Sequence, residues 1–509
     1  MVDGSWAREV PIPFPALIER LRADLIATEY TVAAVEAFLG PVASAALARE
    51  QPLAADRVAA ASDDPLGALV RLFILGRAVP ASLLSRALPT LGVHEAVRMG
   101  IVCPVGAGYL RAMCDLVPHA DDLRDYWLAS DLSEFATGTA LRADHVLGGG
   151  GASATLASWT IRRPVARALD VGTGCGIQVL HLAGHAGSIT ATDISVRALG
   201  FARFNFALND IEATLVLGDM LEPVRGRQFD LVVSNPPFVI TPRSGGHPTI
   251  EYRDGGLAGD ALVHRLMRTV GDLLAPGGVA QFLGNWEVPA GSSFDEVVSA
   301  WVNGLGLDAW VIQRATQDPA EYAELWVRDG GVRSGTSRYD EMYAGWLDDF
   351  ASRDVAQIGF GVVTLHRPLR PRPVWIDLED LPTPVGSAVG AEVADGLDMR
   401  NWLADNGIDG LLATRWCIAD DVTIERTSLG TDPEPAAIVA RRGSPLRRSV
   451  RLDAVSAGLL SVCDGVLTAA QALTAIATLL GVDLGSAIEG SAPVIRRLVA
   501  DGFIRRADV

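Results

Sequence analysis

Residues 229–238 read Phe-Asp-Leu-Val-Val-Ser-Asn-Pro-Pro-Phe and limit the possible folds of this chain more than any other stretch. The apolar, β-branched run 231–233 suits a parallel strand that is covered on both faces. Pro236 and Pro237 end this strand, because proline cannot donate to a ladder and fixes φ. The sequence therefore predicts a stiff polar loop at the carboxyl edge of an α/β sheet, where such sheets bind ligands.

This loop has the chemistry to hold a planar NH2 group. The Asn235 amide and the backbone carbonyls of the loop are hydrogen-bond acceptors, and the Phe238 ring can stack on a flat acceptor. A reaction at such a nitrogen needs its lone pair in line with the bond that breaks, so positioning supplies much of the rate. We name Asn235, Pro236, Pro237 and Phe238 as candidate catalytic residues; the alternative is a strand-ending turn without chemistry.

A glycine-rich turn precedes this loop in the sequence. A predicted strand at 166–171 leads into Asp170-Val-Gly172-Thr173-Gly174-Cys-Gly176, and a predicted helix follows at 177–182. The glycines let the backbone approach a ligand closely and leave amide N–H groups directed at it. The spacing matches neither the dinucleotide fingerprint nor the phosphate loop. It indicates a nucleotide-type site of another kind.

Two further predicted strands end in acidic residues. The strand 188–192 ends at Asp193, a carboxylate that can accept both hydroxyls of a ribose. The strand 214–217 ends in Gly218-Asp219-Met220, where the acid can accept from an adenine amino group and Met220 can cover the ring. Each acid taken singly also fits a solvated loop or a helix cap.

Together these four motifs resemble class I S-adenosylmethionine-dependent methyltransferases over roughly residues 144–368. The Asn-Pro-Pro-Phe sequence is similar to that of the release-factor glutamine and the rRNA guanine-N2 and adenine-N6 methyltransferases. The resemblance implies a seven-stranded Rossmann-like α/β sheet with S-adenosylmethionine as cofactor. The cofactor-binding residues that it implies are Asp170, Gly172, Thr173, Gly174, Gly176, Asp193, Ile194, Gly218, Asp219, Met220 and Asn235.

The long polar loop 239–259 lies directly after the predicted acceptor site, where substrate selection is expected. Its polar residues include Arg243, His247, Glu251, Tyr252 and Arg253. Phe238, Arg243, Tyr252 and Arg253 are our candidate substrate-binding residues. The loop's Tyr-Arg-Asp-Gly-Gly sequence resembles the glutamine methyltransferases, whereas Gly-Asn-Trp-Glu at 284–287 resembles the rRNA guanine enzymes.

We predict three domains, at 1–135, 136–370 and 371–509. The first shows short helices followed by strand-like runs at 109–116 and 126–129, a winged-helix order, and residues 452–509 show a second such pattern. For the first, we favour a packing role over nucleic-acid binding.

The middle domain carries an insertion at 315–355, whose aromatic stripe we interpret as packed on the sheet edge. Gly148 to Gly151 predict either a flap over the cofactor or a linker, with His145 beside it as a candidate base.

The net charge and the cysteine spacing argue against two classes of function, unselective nucleic-acid binding and metal binding. The formal net charge of −18 argues against unselective nucleic-acid binding, and the five cysteines show no metal-ligand spacing. We find no apolar stretch of about 18 residues and expect a soluble, cytoplasmic protein with no metal and no membrane partner. Nine arginines concentrate near the carboxyl end and predict a solvated face or an RNA-binding face: Arg441, Arg442, Arg447, Arg448, Arg451, Arg496, Arg497, Arg505 and Arg506.

The sequence thus predicts an S-adenosylmethionine-dependent N-methyltransferase that acts on a macromolecule. An RNA base amine, in rRNA, is the first expectation for the acceptor because of the flanking domains and the basic carboxyl end. The alternatives are a protein glutamine side chain, a small molecule or peptide, and an inactive cofactor-binding scaffold.

Overall fold

The computed structural model describes residues 10–139, 141–243, 252–430 and 435–507. The amino-terminal part is mainly helical, with one three-stranded sheet and one two-stranded hairpin. Its elements are α1 (Pro15–Ala27), α2 (Val32–Leu47), α3 (Leu53–Ala60), α4 (Pro65–Leu69), a π-helical turn (Val70–Ile74), β1 (Val79–Pro80), α5 (Ala81–Ala87), α6 (Val93–Arg98), β2 (Val102–Gly106), β3 (Tyr109–Ala112), β4 (Asp115–Ala120), β5 (Asp125–Ser130) and α7 (Glu134–Thr137).

The run 109–116, predicted as one strand, is divided between two sheets. β3 pairs with β1 and β2, whereas β4 pairs with β5 in a separate hairpin. The backbone N–H of Met113 donates to Ile101 between the two strands, so the ladder partner changes at this point. Three helices, α4 to α6, precede a hairpin of β2 with β3, whereas the prediction took the runs 109–116 and 126–129 as its two strands. The winged-helix assignment itself stays a prediction.

The middle of the chain forms the largest sheet, with helices on both faces. Its elements are α8 (Gly151–Trp159), β6 (Val165–Val171), α9 (Ile177–Leu182), β7 (Ala186–Asp193), α10 (Val196–Leu208), β8 (Thr214–Leu217), a 3-10 turn (Glu222–Val224), β9 (Phe229–Ser234), α11 (Ala261–Thr269), a 3-10 turn (Val270–Leu273), β10 (Leu274–Pro289), α12 (Phe294–Val302), β11 (Asp308–Gln317), α13 (Pro319–Asp329), α14 (Ser337–Ser352), β12 (Val355–His366) and β13 (Ile376–Asp380).

The strand order is β13-β11-β12-β10-β9-β6-β7-β8, and every neighbouring pair is parallel except the two that β12 makes. The predicted α/β class with a mostly parallel central sheet is confirmed. Successive strands leave β6 in opposite directions toward β7 and β9, so the topological switch point lies between β6 and β9. Open α/β sheets bind their ligands at such a point.

The sheet has eight strands rather than the predicted seven. The extra strand, β13, pairs with β11 and belongs to the segment that we assigned to the carboxyl-terminal domain at 371–509. Its sequence, Ile-Asp-Leu-Glu-Asp, is mostly half-buried or exposed and lacks the apolar run that marks the other strands. Pairing with β11, rather than a hydrophobic pattern, makes it a strand.

The segment predicted as an insertion packs at the carboxyl ends of the strands, on the side of the sheet where ligands are expected. α13 and α14 connect the carboxyl end of β11 to the start of β12, and β11 runs in the same direction as β9 and β10. The insertion therefore begins at the same side of the sheet as the loop after β9. Its aromatic residues pack with Val239 and Ile240 of that loop.

The carboxyl-terminal part contains two small sheets and a helical cluster with its own core. Its elements are α15 (Gly390–Ala413), β14 (Arg415–Ile418), β15 (Val422–Thr427), β16 (Ala437–Arg442), β17 (Ser449–Leu452), α16 (Ala454–Ser461), β18 (Asp464–Thr468), α17 (Ala469–Leu480), α18 (Leu484–Ala500) and β19 (Ile504–Arg506).

No single helix among the described residues has both the length and the apolar character to cross a membrane. Two bent helix pairs, α1 with α2 and α17 with α18, satisfy the length and composition criteria together.

Candidate active site

Four adjacent parallel strands bring the predicted motifs to one edge of the sheet. Val171 at the end of β6 lies opposite Thr192 of β7 and Ser234 of β9, and Asp193 lies opposite Leu217 of β8. The Ser234 hydroxyl donates to the Val171 carbonyl at 2.8 Å, which joins the strand ends at the switch point. The glycine turn, the two acidic strand ends and the Asn-Pro-Pro-Phe loop therefore share one site.

The glycine turn presents an open backbone surface. Gly172 and Gly174 have φ of +69° and +57°, and a Cβ on either would meet no atom within 4 Å. Gly176 has φ of +94°, and its Cβ would lie 2.4 Å from the Phe206 ring. Two of the predicted glycines therefore face free space where a ligand fits, whereas Gly176 is needed for packing against α10.

Asp193 is fixed by the turn that it faces. Its carboxylate accepts hydrogen bonds from the backbone N–H groups of Gly174 and Ser195, each at 2.8 Å. Burial raises the pKa of this carboxyl, while the backbone donors oppose the shift. Each carboxylate oxygen retains a lone pair for a ribose hydroxyl. Ile194 is 66% exposed, so its side chain is available to cover an adenine ring.

The end of β8 is placed beside the same edge, but Asp219 is not free. Its carboxylate pairs with the Arg265 guanidinium of α11 at 3.2 Å and is about half exposed. Gly218 has φ of +155° and donates its backbone N–H to the Asp193 carbonyl. Met220 has φ of +47°, and its carbonyl accepts from the Thr192 hydroxyl. The left-handed backbone conformation of Met220 costs free energy for any residue other than glycine, and such strained residues are often found at functional sites.

Asp170 is fully buried beneath the glycine turn. One of its oxygens accepts from the Thr173 hydroxyl at 2.6 Å, and the other has no hydrogen-bond partner among the described residues. Burial, with a smaller contribution from the Asp193 charge, raises the pKa of Asp170 to about 7. A neighbouring cation would favour the ionised carboxylate.

Asn235 holds an unused acceptor at the switch point. Its amide Nδ2 donates to the Ser153 hydroxyl at 3.3 Å, while its buried Oδ1 has no hydrogen-bond partner among the described residues. Gln178 in turn donates to the Ser153 carbonyl at 2.9 Å. A buried carbonyl oxygen without a donor costs free energy unless a ligand or water supplies one. An N–H group of a bound acceptor would satisfy it.

Ser153 and Gln178 were not predicted as site residues. Ser153 lies on α8, in the segment that follows the four glycines, and Gln178 lies on the helix after the glycine turn. The four glycines were predicted as a flap or a linker, and the last of them, Gly151, is the first residue of α8. No local sequence signal links Ser153 to Asn235, because 82 residues separate them.

The rest of the acceptor loop is held by internal contacts. Phe238 is half-buried and forms an isolated antiparallel bridge with Asp254. Arg243 makes a two-point ion pair with Asp254, and Arg253 pairs with Asp329 of the insertion. These two arginines, predicted to bind substrate, are therefore engaged within the protein. The predicted loop residues His247 and Glu251 lie outside the described residues.

Tyr252 and His145 meet beside this loop. Their rings are 5.9 Å apart, and His145 is buried with its Nδ1 3.8 Å from Asp131. Burial lowers the pKa of His145, and burial raises the pKa of Tyr252. His145 thus packs between the amino-terminal part and the acceptor loop. This packing explains the residue without the role of a base.

Groups of three or more metal-ligand side chains do not occur in the part of the chain that the structure describes. The candidate site consists of backbone amides, carboxylates and an amide side chain. This donor set suits an organic cofactor with hydroxyl and amino groups.

Residues 151–301 match the family model described as the methyltransferase small domain, and residues 27–113 match a domain of unknown function (DUF7059). The ribosomal protein uL3 glutamine methyltransferase of Bradyrhizobium diazoefficiens is 30% identical over 174 residues, which are 31% of this chain and 53% of that protein. The predicted resemblance is confirmed for the segment that carries the candidate site.

Two other relatives differ in the acceptor that their names state. The ribosomal RNA small subunit methyltransferase C of Alcanivorax borkumensis is 28% identical over 26% of this chain and 36% of its own length. The release factor glutamine methyltransferase of Deinococcus radiodurans is 42% identical over 17% of this chain and 32% of its own length. This chain therefore spans about half of the first relative and about a third of these two.

Proposed function

We propose that this protein transfers a methyl group from S-adenosylmethionine to a planar amine or amide nitrogen of a macromolecule. The observation that carries the proposal is the buried Oδ1 of Asn235 at the switch point, which has no hydrogen-bond partner among the described residues and lies beside an open glycine turn. The match to the methyltransferase small domain supports the same activity.

The cofactor would lie along the carboxyl ends of β6, β7 and β8. The backbone of Gly172 and Gly174 would hold its methionine part, the Asp193 carboxylate its ribose hydroxyls, and the Ile194 and Met220 side chains its adenine ring. Asp219 would accept from the adenine amino group with Arg265 as its second partner. The cofactor supplies an electrophilic methyl group on a sulfonium.

The acceptor nitrogen would be held by Asn235 and the Pro236 carbonyl. Both are hydrogen-bond acceptors, so they orient the N–H groups and direct the nitrogen lone pair at the methyl group. They also stabilise the positive charge that develops on nitrogen during transfer. The Phe238 ring would stack on the acceptor plane. The proton that nitrogen loses afterwards can pass to water, so the reaction needs no strong base.

An RNA base amine and a protein glutamine amide both fit these requirements. Nine arginines near the carboxyl end favour RNA, but five of them form ion pairs within the protein: Arg441, Arg442, Arg448, Arg497 and Arg505. Arg442, Arg448 and Arg497 are mostly buried in their ion pairs and have little charge left for phosphate, whereas Arg441 and Arg505 form theirs at the exposed surface. We therefore propose the glutamine amide on an equal footing with the rRNA base.

The test uses purified protein, tritiated S-adenosylmethionine and extract from a strain that lacks the gene. We expect label in a macromolecule, and the label should be lost after digestion with either RNase or protease. Loss to RNase identifies a base amine, and loss only to protease identifies the glutamine amide. Label in neither fraction would contradict the proposal.

A further inference from the structure

The insertion between β11 and β12 contacts the loop that carries the proposed acceptor site. Tyr322 of α13 is completely buried. Its hydroxyl accepts a hydrogen bond from the backbone N–H of Ile240 at 3.0 Å and from the Asn285 amide at 2.8 Å. Ile240 lies two residues after Phe238. One hydroxyl of the insertion thus links the backbone just after the Asn-Pro-Pro-Phe sequence to the Asn285 side chain of β10.

Aromatic packing fixes the Tyr322 ring in its own position. The ring centroid lies 5.6 Å from Phe360 of β12 in a stacked arrangement and 5.6 Å from Phe350 of α14 in an edge arrangement. Aromatic pairs at these distances and angles are favourable. The hydroxyl is therefore a rigid anchor for the Ile240 backbone.

The same helix also contacts the later segment of the acceptor loop. The Arg253 guanidinium pairs with Asp329 at 2.5 Å and lies 5.9 Å from the Trp326 ring centroid, and both partners belong to α13. The Arg253 carbonyl accepts from the backbone N–H of Val239 at 2.9 Å. α13 therefore contacts both of the segments that the isolated bridge between Phe238 and Asp254 joins.

We propose that Tyr322 is a positioning residue for methyl transfer, whose hydroxyl holds the Asn-Pro-Pro-Phe loop at the distance that the acceptor nitrogen needs. This inference rests on the proposed function. Without the hydroxyl, the buried Ile240 N–H and the Asn285 amide each lose their hydrogen-bond acceptor, and the loop moves to find others. The cofactor site lies at other strand ends and keeps its geometry.

A purely structural role for Tyr322 would come from its ring, which the Tyr322→Phe variant retains. Tyr339→Phe is the matched control, because Tyr339 is also buried in the insertion, yet its hydroxyl makes no hydrogen bond among the residues that the structure describes. Both variants lose one oxygen from the same aromatic cluster. Only Tyr322→Phe removes a contact with the acceptor loop.

The first measurement is amide hydrogen exchange of the free protein, followed by mass spectrometry of peptides that contain residues 238–243. We expect exchange of these peptides to be about tenfold faster in Tyr322→Phe than in Tyr339→Phe, because the Ile240 N–H loses its partner. The dissociation constant of S-adenosylhomocysteine, measured by calorimetry, should stay within about twofold of the wild type in both variants. Equal exchange in the two variants would overturn the inference, whether or not the protein transfers methyl groups.

The second measurement is the rate of label transfer at low and high extract concentrations. We expect Tyr322→Phe to be slower by on the order of ten- to a hundredfold at saturating extract, since a small misplacement of the reacting groups costs rate. Tyr339→Phe should transfer at the wild-type rate. A Tyr322→Phe rate equal to that of the control would overturn the inference. Absence of transfer by the wild type would instead contradict the proposed function.

Discussion

At the scale of single residues, Asn235 and Asp170 are the side chains that a ligand would change most. Each is at least partly buried and keeps one oxygen without a hydrogen-bond partner among the described residues. Such atoms are rare in folded proteins because an unmade hydrogen bond costs about 1–3 kcal/mol. Because they lie at adjacent strand ends, they point to one ligand site. In the described part of the chain, Asn235 there lacks an N–H donor, and Asp170 lacks a neighbouring positive charge.

Asn235→Ala should abolish transfer without abolishing cofactor binding. We expect the rate of label transfer to fall on the order of a hundredfold or more, because the acceptor nitrogen loses its orienting oxygen. The dissociation constant of S-adenosylhomocysteine should change less than about tenfold, since the glycine turn and Asp193 remain. Ser153→Ala is the comparison, as it removes only the partner of the Asn235 Nδ2. Full turnover by Asn235→Ala would exclude the mechanism.

Cofactor affinity should depend on pH through Asp170. Its raised pKa of about 7 means that the carboxyl is largely neutral below pH 7 in the free protein. A bound cation favours the ionised form, so binding releases a proton and the affinity rises with pH until about pH 7. Calorimetry with S-adenosylmethionine between about pH 5 and pH 8 measures this slope. Asp170→Asn should lose it, and equal slopes in both proteins would refute the assignment.

At the scale of elements, the turn between β6 and α9 combines two uses of glycine. Gly172 leaves space for a ligand, whereas Gly176 leaves space for the Phe206 ring of α10. Both have positive φ, so both need glycine for the backbone. The spacing of the glycines is one sequence feature, but the surrounding helices give the positions different roles.

Alanine substitutions should separate these roles. Gly176→Ala should lower the free energy of unfolding of the free protein by about 2–5 kcal/mol, because backbone strain adds to the overlap with Phe206. Gly172→Ala should cost only about 1–3 kcal/mol from its φ. Gly172→Ala should, however, weaken S-adenosylhomocysteine binding more than Gly176→Ala does, because the added methyl group fills the space expected for the ligand. Urea unfolding and calorimetry test both effects, and a reversed order would contradict the site.

At the scale of the whole molecule, buried charges connect the carboxyl-terminal part to the sheet. Glu379 of β13 pairs with Arg448 at 2.7 Å and with Arg497 at 2.8 Å. The Arg400 guanidinium lies 3.7 Å from the ring centroid of Trp310 on β11 and also pairs with Asp501. β13 is thus one of the places where the two parts of the chain join, and the ion pair between Arg163 and Asp398 of α15 is another. Arg448 and Arg497, two of the nine carboxyl-terminal arginines, serve the connection at β13.

Removing one partner of the buried pair should destabilise the protein strongly. We expect Arg448→Met to lower the free energy of unfolding by about 3–5 kcal/mol, because the Glu379 charge then stays buried with fewer partners. The exposed neighbour Arg447→Ala removes the same net charge and should leave stability within about 0.5 kcal/mol of the wild type. Chemical unfolding measures both. Similar stability of the two variants would show that the cluster is not structural.

The sequence by itself determined the strands that carry the site and the polar residues at their ends. This was possible because a buried parallel strand is a short apolar run, and the glycine and proline turns that follow it are local in the chain. The predicted strand at 214–217 and the helix at 177–182 have the same bounds in the structure.

Only the tertiary structure decided which polar side chains remain for a ligand. Asp254 and Asp329 form ion pairs with the two arginines predicted to bind substrate. The Ser153 hydroxyl accepts a hydrogen bond from Asn235, 82 residues later in the chain, and the insertion contacts the acceptor loop. The choice of an ion-pair or hydrogen-bond partner depends on chain segments far apart in sequence. No local pattern encodes that choice, since the free energy of a buried polar group is set by whatever the fold packs against it.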